Sequence, residues 1–222
     1  MMKSLICAGF LALAAAAVAP AATLEGKESY DLLFRQGTLD AVDRDAALFY
    51  ERHVTNALKP ETEERDSGRI ELGFQGDSAE LARLTLHQDE KHRSLGVFPA
   101  SVGNPMIMFF YETVVRDMAE ATGGSPFYVR NRVKDALIQP SQIETGEADI
   151  GGKTIPTTTI TLRPFADDPN RDRMQGFGDL VLSVTMSDEV PGWYLSLVAE
   201  TGEAGDPVYR SKVVYDGLGA TE

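Results

Sequence analysis

Apolar and polar positions alternate most plainly in the middle of the chain. Ile70, Leu72 and Phe74 are separated by Glu71 and Gly73, and Leu84 and Leu86 stand between Arg83, Thr85 and His87. After the polar stretch 88–91, Leu95 and Val97 continue the pattern. A period of two with one apolar face is the mark of a half-buried strand, and three in succession joined by polar turns read as an antiparallel meander. Strands return after Pro140: residues 143–150 and 153–162 flank Gly151-Gly152, a two-residue hairpin turn. Leu180, Leu182, Val184 and Met186 alternate with Val181, Ser183, Thr185 and Ser187, and Pro191-Gly192 marks the next turn. Leu195, Leu197 and Ala199 share a face of the following strand, and residues 208–215 form the last. Segment 46–58 fits two templates. Leu48, Tyr50, Val54 and Leu58 lie on a strand face that Arg52 and Asn56 interrupt, while Ala46, Phe49, Tyr50, His53, Ala57 and Leu58 suit a helix. Its β-rich company tips the reading to strand.

Elsewhere the period is 3.6. Tyr30, Leu33 and Phe34 predict a short amphipathic helix over 28–36 that stops at Gly37. Asn104 can cap a second helix with Pro105 at its first position, and Gly123-Gly124 supplies a left-handed stop. Between them Met106, Ile107, Met108, Phe109, Phe110, Tyr111, Val114, Val115 and Met118 leave almost no polar face, so this helix must be covered on two sides. Ser125-Pro126 starts a third helix that ends near Leu137, with Phe127, Val129, Val133 and Leu137 expected inward and Arg130, Arg132 and Lys134 outward. The fold class expected is α+β: an antiparallel sheet of about nine strands, a helical pair inserted mid-chain and a short helix near the start.

The first residues change the arithmetic. Lys3, an apolar run from Leu5 to Val18 and Ala19-Pro20-Ala21 have the three parts of a secretory signal peptide. Cleavage after Ala21 leaves residues 22–222 as one domain with 20 Lys and Arg against 34 Asp and Glu, a side-chain charge of −14. Cys7, the one cysteine, leaves with the signal, so the mature chain carries no disulfide, thiolate nucleophile or cysteine-bound metal. Strong acidity argues against nucleic acid or anionic membrane as main partner. The expected localisation is periplasmic or secreted, and no segment reads as membrane-spanning.

Motif candidates are thin. Gly146 to Thr154 ends Gly-Gly-Lys-Thr, but Glu147 stands where a phosphate loop needs its first glycine, and the β-branched run that follows is a strand. Asp168, Asn170, Asp172 and Asp179 match calcium-loop positions, yet Arg173 holds the bend that glycine normally makes and Arg171 adds positive charge. His87 and His92 face each other across a turn beside Asp89 and Glu90, too few fixed ligands for zinc. His53 is assigned no role. No hydrolase motif occurs. Neither a catalytic residue, a metal nor a cofactor is assigned.

The order helix, antiparallel strands, apolar helical insertion and further strands, from Ala46 to Tyr215, resembles the half-barrel of periplasmic LolA-like lipoprotein carriers. The phrases at 98–105 (FPASVGNP) and 123–127 (GGSPF) also look like an uncharacterised family of exported bacterial proteins. The first resemblance implies a sheet wrapped around helices with acyl chains held between them. The expected function is a periplasmic binding or carrier protein for an apolar or lipid-like ligand or a lipidated protein. Ligand contacts fall to Met106, Phe109, Phe110, Val114, Met118 and Phe127, since methionines and aromatics suit varied apolar groups. An adaptor of the cell envelope without a small ligand, a hydrolase with a dispersed triad and a calcium-stabilised structural module are the alternatives.

Overall fold

The computed structural model describes residues 22–76, 80–202 and 207–220. The proposed signal peptide and Cys7 lie outside them. In chain order the elements are β1 (Ala22–Leu24), α1 (Gly26–Leu33), β2 (Ala46–Asn56), α2 (Thr62–Asp66), β3 (Gly68–Gln75), β4 (Leu81–Gln88) and β5 (Lys91–Pro99). They continue with α3 (Met106–Thr122), α4 (Pro126–Leu137), β6 (Ser141–Ile150), β7 (Lys153–Leu162), β8 (Leu180–Met186), β9 (Tyr194–Thr201) and β10 (Tyr209–Ala220). Ten strands form one open, antiparallel sheet in the order β1-β6-β7-β8-β9-β10-β2-β3-β4-β5. The fold is thus α+β, as the periodicities indicated, with ten described strands rather than about nine. The added strand is β1, whose three residues are too few to display a period. It begins at Ala22, which pairs with Ile143.

Topology explains where the helices lie. β5 is one edge of the sheet, and β6 is last but one at the other. The chain between them therefore has to cross the sheet, and α3 and α4 make that crossing. Strict alternation then sorts the strands: Leu180, Leu182, Val184 and Met186 of β8, and Ala82, Leu84 and Leu86 of β4, are buried in one core with α3. Segment 46–58 resolves as a strand, because β2 pairs with both β3 and β10 and so gains two ladders at once. Among the described residues no helix is long and apolar enough to cross a membrane.

The start of α3 is fixed by side chains. Asn104 Oδ1 accepts the Met106 N–H at 3.0 Å, while its Nδ2 donates to Tyr50 Oη and to the Gly192 carbonyl, both at 2.8 Å. A Cβ on Gly192, where φ is +80°, would stand 2.4 Å from Leu48 Cδ1, so the β8–β9 turn can close on this junction only with glycine. Gly123 ends α3 in the left-handed conformation the sequence suggested.

Two expectations need correction, and one element is new. α1 spans Gly26–Leu33, not 28–36, and Gly37 lies in a later turn. Its earlier start reflects packing: a Cβ on Gly26 would lie 1.9 Å from the Ile138 carbonyl oxygen. α2, a single turn, has no sequence signal of its own. Phe127 does not face inward; it is 72% exposed. At about 100° per residue it stands roughly 200° from Val129, and Val129, Val133 and Leu137 take the buried face of α4.

Candidate functional site

A helix without a polar face has two stripes to cover, and in α3 each meets a different surface. Met106, Ile107, Phe110, Val114 and Met118 recur on the stripe that packs into the core, each at most 2% exposed. Met108, Phe109, Glu112, Val115, Arg116 and Ala119 recur on the other, at spacings that keep them on one side of the helix. This second stripe faces the edge strand β5 and the start of α4 across a groove of about 800 Å³. Leu95 and Phe98 of β5 complete an apolar lining, and Met108 remains 48% exposed at its margin. Leu95 is available because the ladder slips at this point: Leu84 pairs with Gly96, Thr85 with Ser94, and Leu95 is left over as a bulge.

Of the six residues assigned to ligand contact, Phe109 lines the groove. Met106, Phe110, Val114 and Met118 are in the filled core, and Phe127 stands outside with Arg130 against its ring. The apolar richness of α3 was visible in the sequence; the division into two stripes depends on what each side meets.

The charged part of the groove is the larger surprise. Arg52 projects from the core face of β2, in line with Leu48, Tyr50 and Val54, and is only 2% exposed. Its Nη2 lies 3.6 Å from Asp117 Oδ2, an ion pair beyond hydrogen-bond distance, and its Nε and Nη2 make no hydrogen bond. Burial lowers the pKa of this guanidinium, opposed mainly by the charge of Asp117. Asp117 is itself committed elsewhere: Oδ1 accepts Arg116 Nε at 3.0 Å and Nη2 at 2.7 Å, and Oδ2 accepts the Tyr209 hydroxyl at 2.9 Å. Asp66, 1% exposed at the end of α2, accepts Arg65 Nε and Nη2 at 3.0 and 2.8 Å and Arg93 Nη2 at 3.2 Å. Arg65 also grips Glu120, and Arg130 grips Glu112 with two nitrogens. In all, Arg52, Arg65, Arg93, Arg116 and Arg130 meet Asp66, Glu112, Asp117 and Glu120, an excess of one positive charge in a chain of net charge −13. These residues were not among the sequence candidates. Their one signal was Arg52 breaking the apolar face of β2.

Burial opposes ionisation of Asp66, but Arg65's hydrogen bonds and the charges of Arg116 and Arg52 outweigh it and hold the carboxyl below its usual range. A depressed carboxyl stabilises the fold above its unfolded-state value, near 4, and that contribution is lost as pH falls through the folded value. Urea midpoints measured from pH 5 down to pH 3 should therefore fall, and Asp66→Asn should flatten the slope. Parallel slopes for the two proteins would contradict this.

The motif regions resolve locally. Gly151 and Gly152, with φ of +56° and +83°, form the β6–β7 hairpin turn in place of a phosphate loop. Both ends of the calcium-like pattern are engaged: Asp168 accepts the Tyr128 hydroxyl at 2.7 Å, Arg132 Nε at 2.7 Å and the Asn170 N–H at 2.8 Å, and Asp179 pairs with Arg171. His87 and His92 are cross-strand partners with ring centroids 6.5 Å apart, and His87 Nε2 lies 2.9 Å from Glu71 Oε2. Among the described residues no group of three or more His, Cys, Asp or Glu is placed to hold a metal ion.

The fold and groove define a class in structural terms: an open antiparallel sheet whose edges are bridged by helices, with an apolar, arginine-bearing groove at one edge. No protein-family model matches the chain, and no curated protein does either.

Proposed function

We propose that this protein is an exported binding or carrier protein for an apolar or lipid-like ligand, held between α3 and β5. The observation that carries the reading is the second apolar stripe of α3. Met108 is 48% exposed and, with the half-buried Leu95 and Phe98 and the edges of the buried Phe109 and Val115, borders open space. A groove of about 800 Å³ falls within the range of sites that bury small ligands, and apolar walls with a few convergent polar groups are their usual lining. The order of elements resembles that of LolA-like half-barrels; here the space between sheet and α3 is a filled core, and the groove lies at the β5 edge instead. A lipidated protein, presenting its acyl chain, is a second cargo of the same groove in this reading.

Native mass spectrometry of protein purified from its own envelope tests the reading. The expected result is a population heavier by one lipid, released on denaturation. Met108→Glu, which puts a charge on a half-exposed apolar wall, should reduce that population several-fold while leaving the melting temperature within a few degrees. Protein that carries no lipid and binds no fatty acyl probe would sink the proposal. An envelope adaptor would then be preferred, and the exposed Phe127 is the feature on which it would rest.

A further inference from the structure

A buried guanidinium has five N–H donors, and protein interiors usually satisfy them, because an unmade hydrogen bond out of water is costly. Arg52 departs from this. It forms part of the groove wall, yet its Nε and Nη2 have no acceptor among the described residues. The carboxylate that could serve it, Asp117, instead makes its two-nitrogen contact with Arg116. Arg93 and Arg116, both with side chains 47% exposed, stand on the same groove, so the unused donors belong to a patch that is positive on balance. Overall charge cannot account for this. A strongly acidic chain repels anions at long range, and a local excess of arginine beside apolar walls acts only at contact distance.

We propose that the groove selects an anionic amphiphile, with a carboxylate or phosphate headgroup accepting from Nε and Nη2 of Arg52 and an acyl tail along Leu95, Phe98, Met108 and Phe109. This rests on the groove being the lipid-like site described above and adds the chemistry of the headgroup. The planar edge of a guanidinium presents parallel N–H groups that match two oxygens of either anion. Those donors are out of solvent contact. The Phe109 ring centroid lies 5.3 Å from the Arg52 Cζ, and in this proposal the headgroup reaches the donors through a change of the Phe109 rotamer. Ligand entry is thereby coupled to a side chain that also lines the tail site. A neutral lipid satisfies the apolar walls and leaves Arg52 as it was.

Calorimetric titration of the full chain at pH 8 with decanoate, decanol and inorganic phosphate tests this. Decanoate should bind about tenfold more tightly than decanol, the difference expected of charge-assisted hydrogen bonds, and phosphate should bind far more weakly than decanoate. Arg52→Met keeps an unbranched stem without the guanidinium and should bring the acid-to-alcohol ratio below about threefold by weakening decanoate alone. Equal binding of acid and alcohol by the unmodified protein would overturn the headgroup assignment and leave the carrier reading standing. Binding of neither would overturn both. Phosphate binding as tight as decanoate would replace the amphiphile with a free anion, and an unchanged ratio in Arg52→Met would remove Arg52 from the site. Should Arg52→Met not fold, the ratio in the unmodified protein decides.

Discussion

Asp117→Ala should destabilise the protein by about 3–5 kcal/mol, the range seen when one partner of a buried ion pair is removed. The loss has two sources. Arg52, 2% exposed, would keep its charge with its nearest carboxylate gone, and the buried Tyr209 hydroxyl would lose its acceptor. Urea denaturation reads the effect as a lower midpoint at an unchanged slope. The double variant Arg52→Met with Asp117→Leu should recover most of the loss, because the two charges then leave the interior together. A cost below about 1 kcal/mol for the single variant would mean that water or other residues already compensate Arg52. Failure of the double variant to recover would place the cost on Tyr209 and Arg116. The measurement also bears on function. If Arg52 is retained for an anionic headgroup, the double variant should be the more stable protein relative to Asp117→Ala and the poorer binder of decanoate.

Phe110→Ala should also cost about 3–5 kcal/mol, but by a different route. Its side chain is 0% exposed on the core stripe of α3, and truncation leaves a cavity that the surrounding sheet cannot fill. Lipid retention should be unchanged, since Phe110 lies off the groove. Phe109→Ala offers the contrast: its ring forms the groove wall and stands over Arg52, so ligand retention should fall with it. Equal loss of retention in the two variants, measured by native mass spectrometry on folded protein, would show that α3 does not divide its two stripes between core and groove. Both experiments separate packing from binding within one helix.

Much of the fold was legible because its elements are periodic. The alternation at 70–74, 84–86 and 180–186, the glycine pair at 151–152 and the Asn104–Gly123 limits of α3 each act locally, and the structure retains them. What escaped notice was too short to show a period, as in β1 and α2, or was decided by rotation about a helix axis, as in Phe127. The site divides along the same line. That α3 is apolar all round, and so needs two coverings, is a property of its sequence. That one covering is a filled core and the other a groove depends on β5 lying at the sheet edge, beside a helix that must cross to β6. Sequence also marked Arg52 as a break in an apolar face. Its burial, its unused donors and its meeting with Asp66 and Asp117 come from strands and helices far apart in the chain, because burial and ion pairing are properties of neighbours in space.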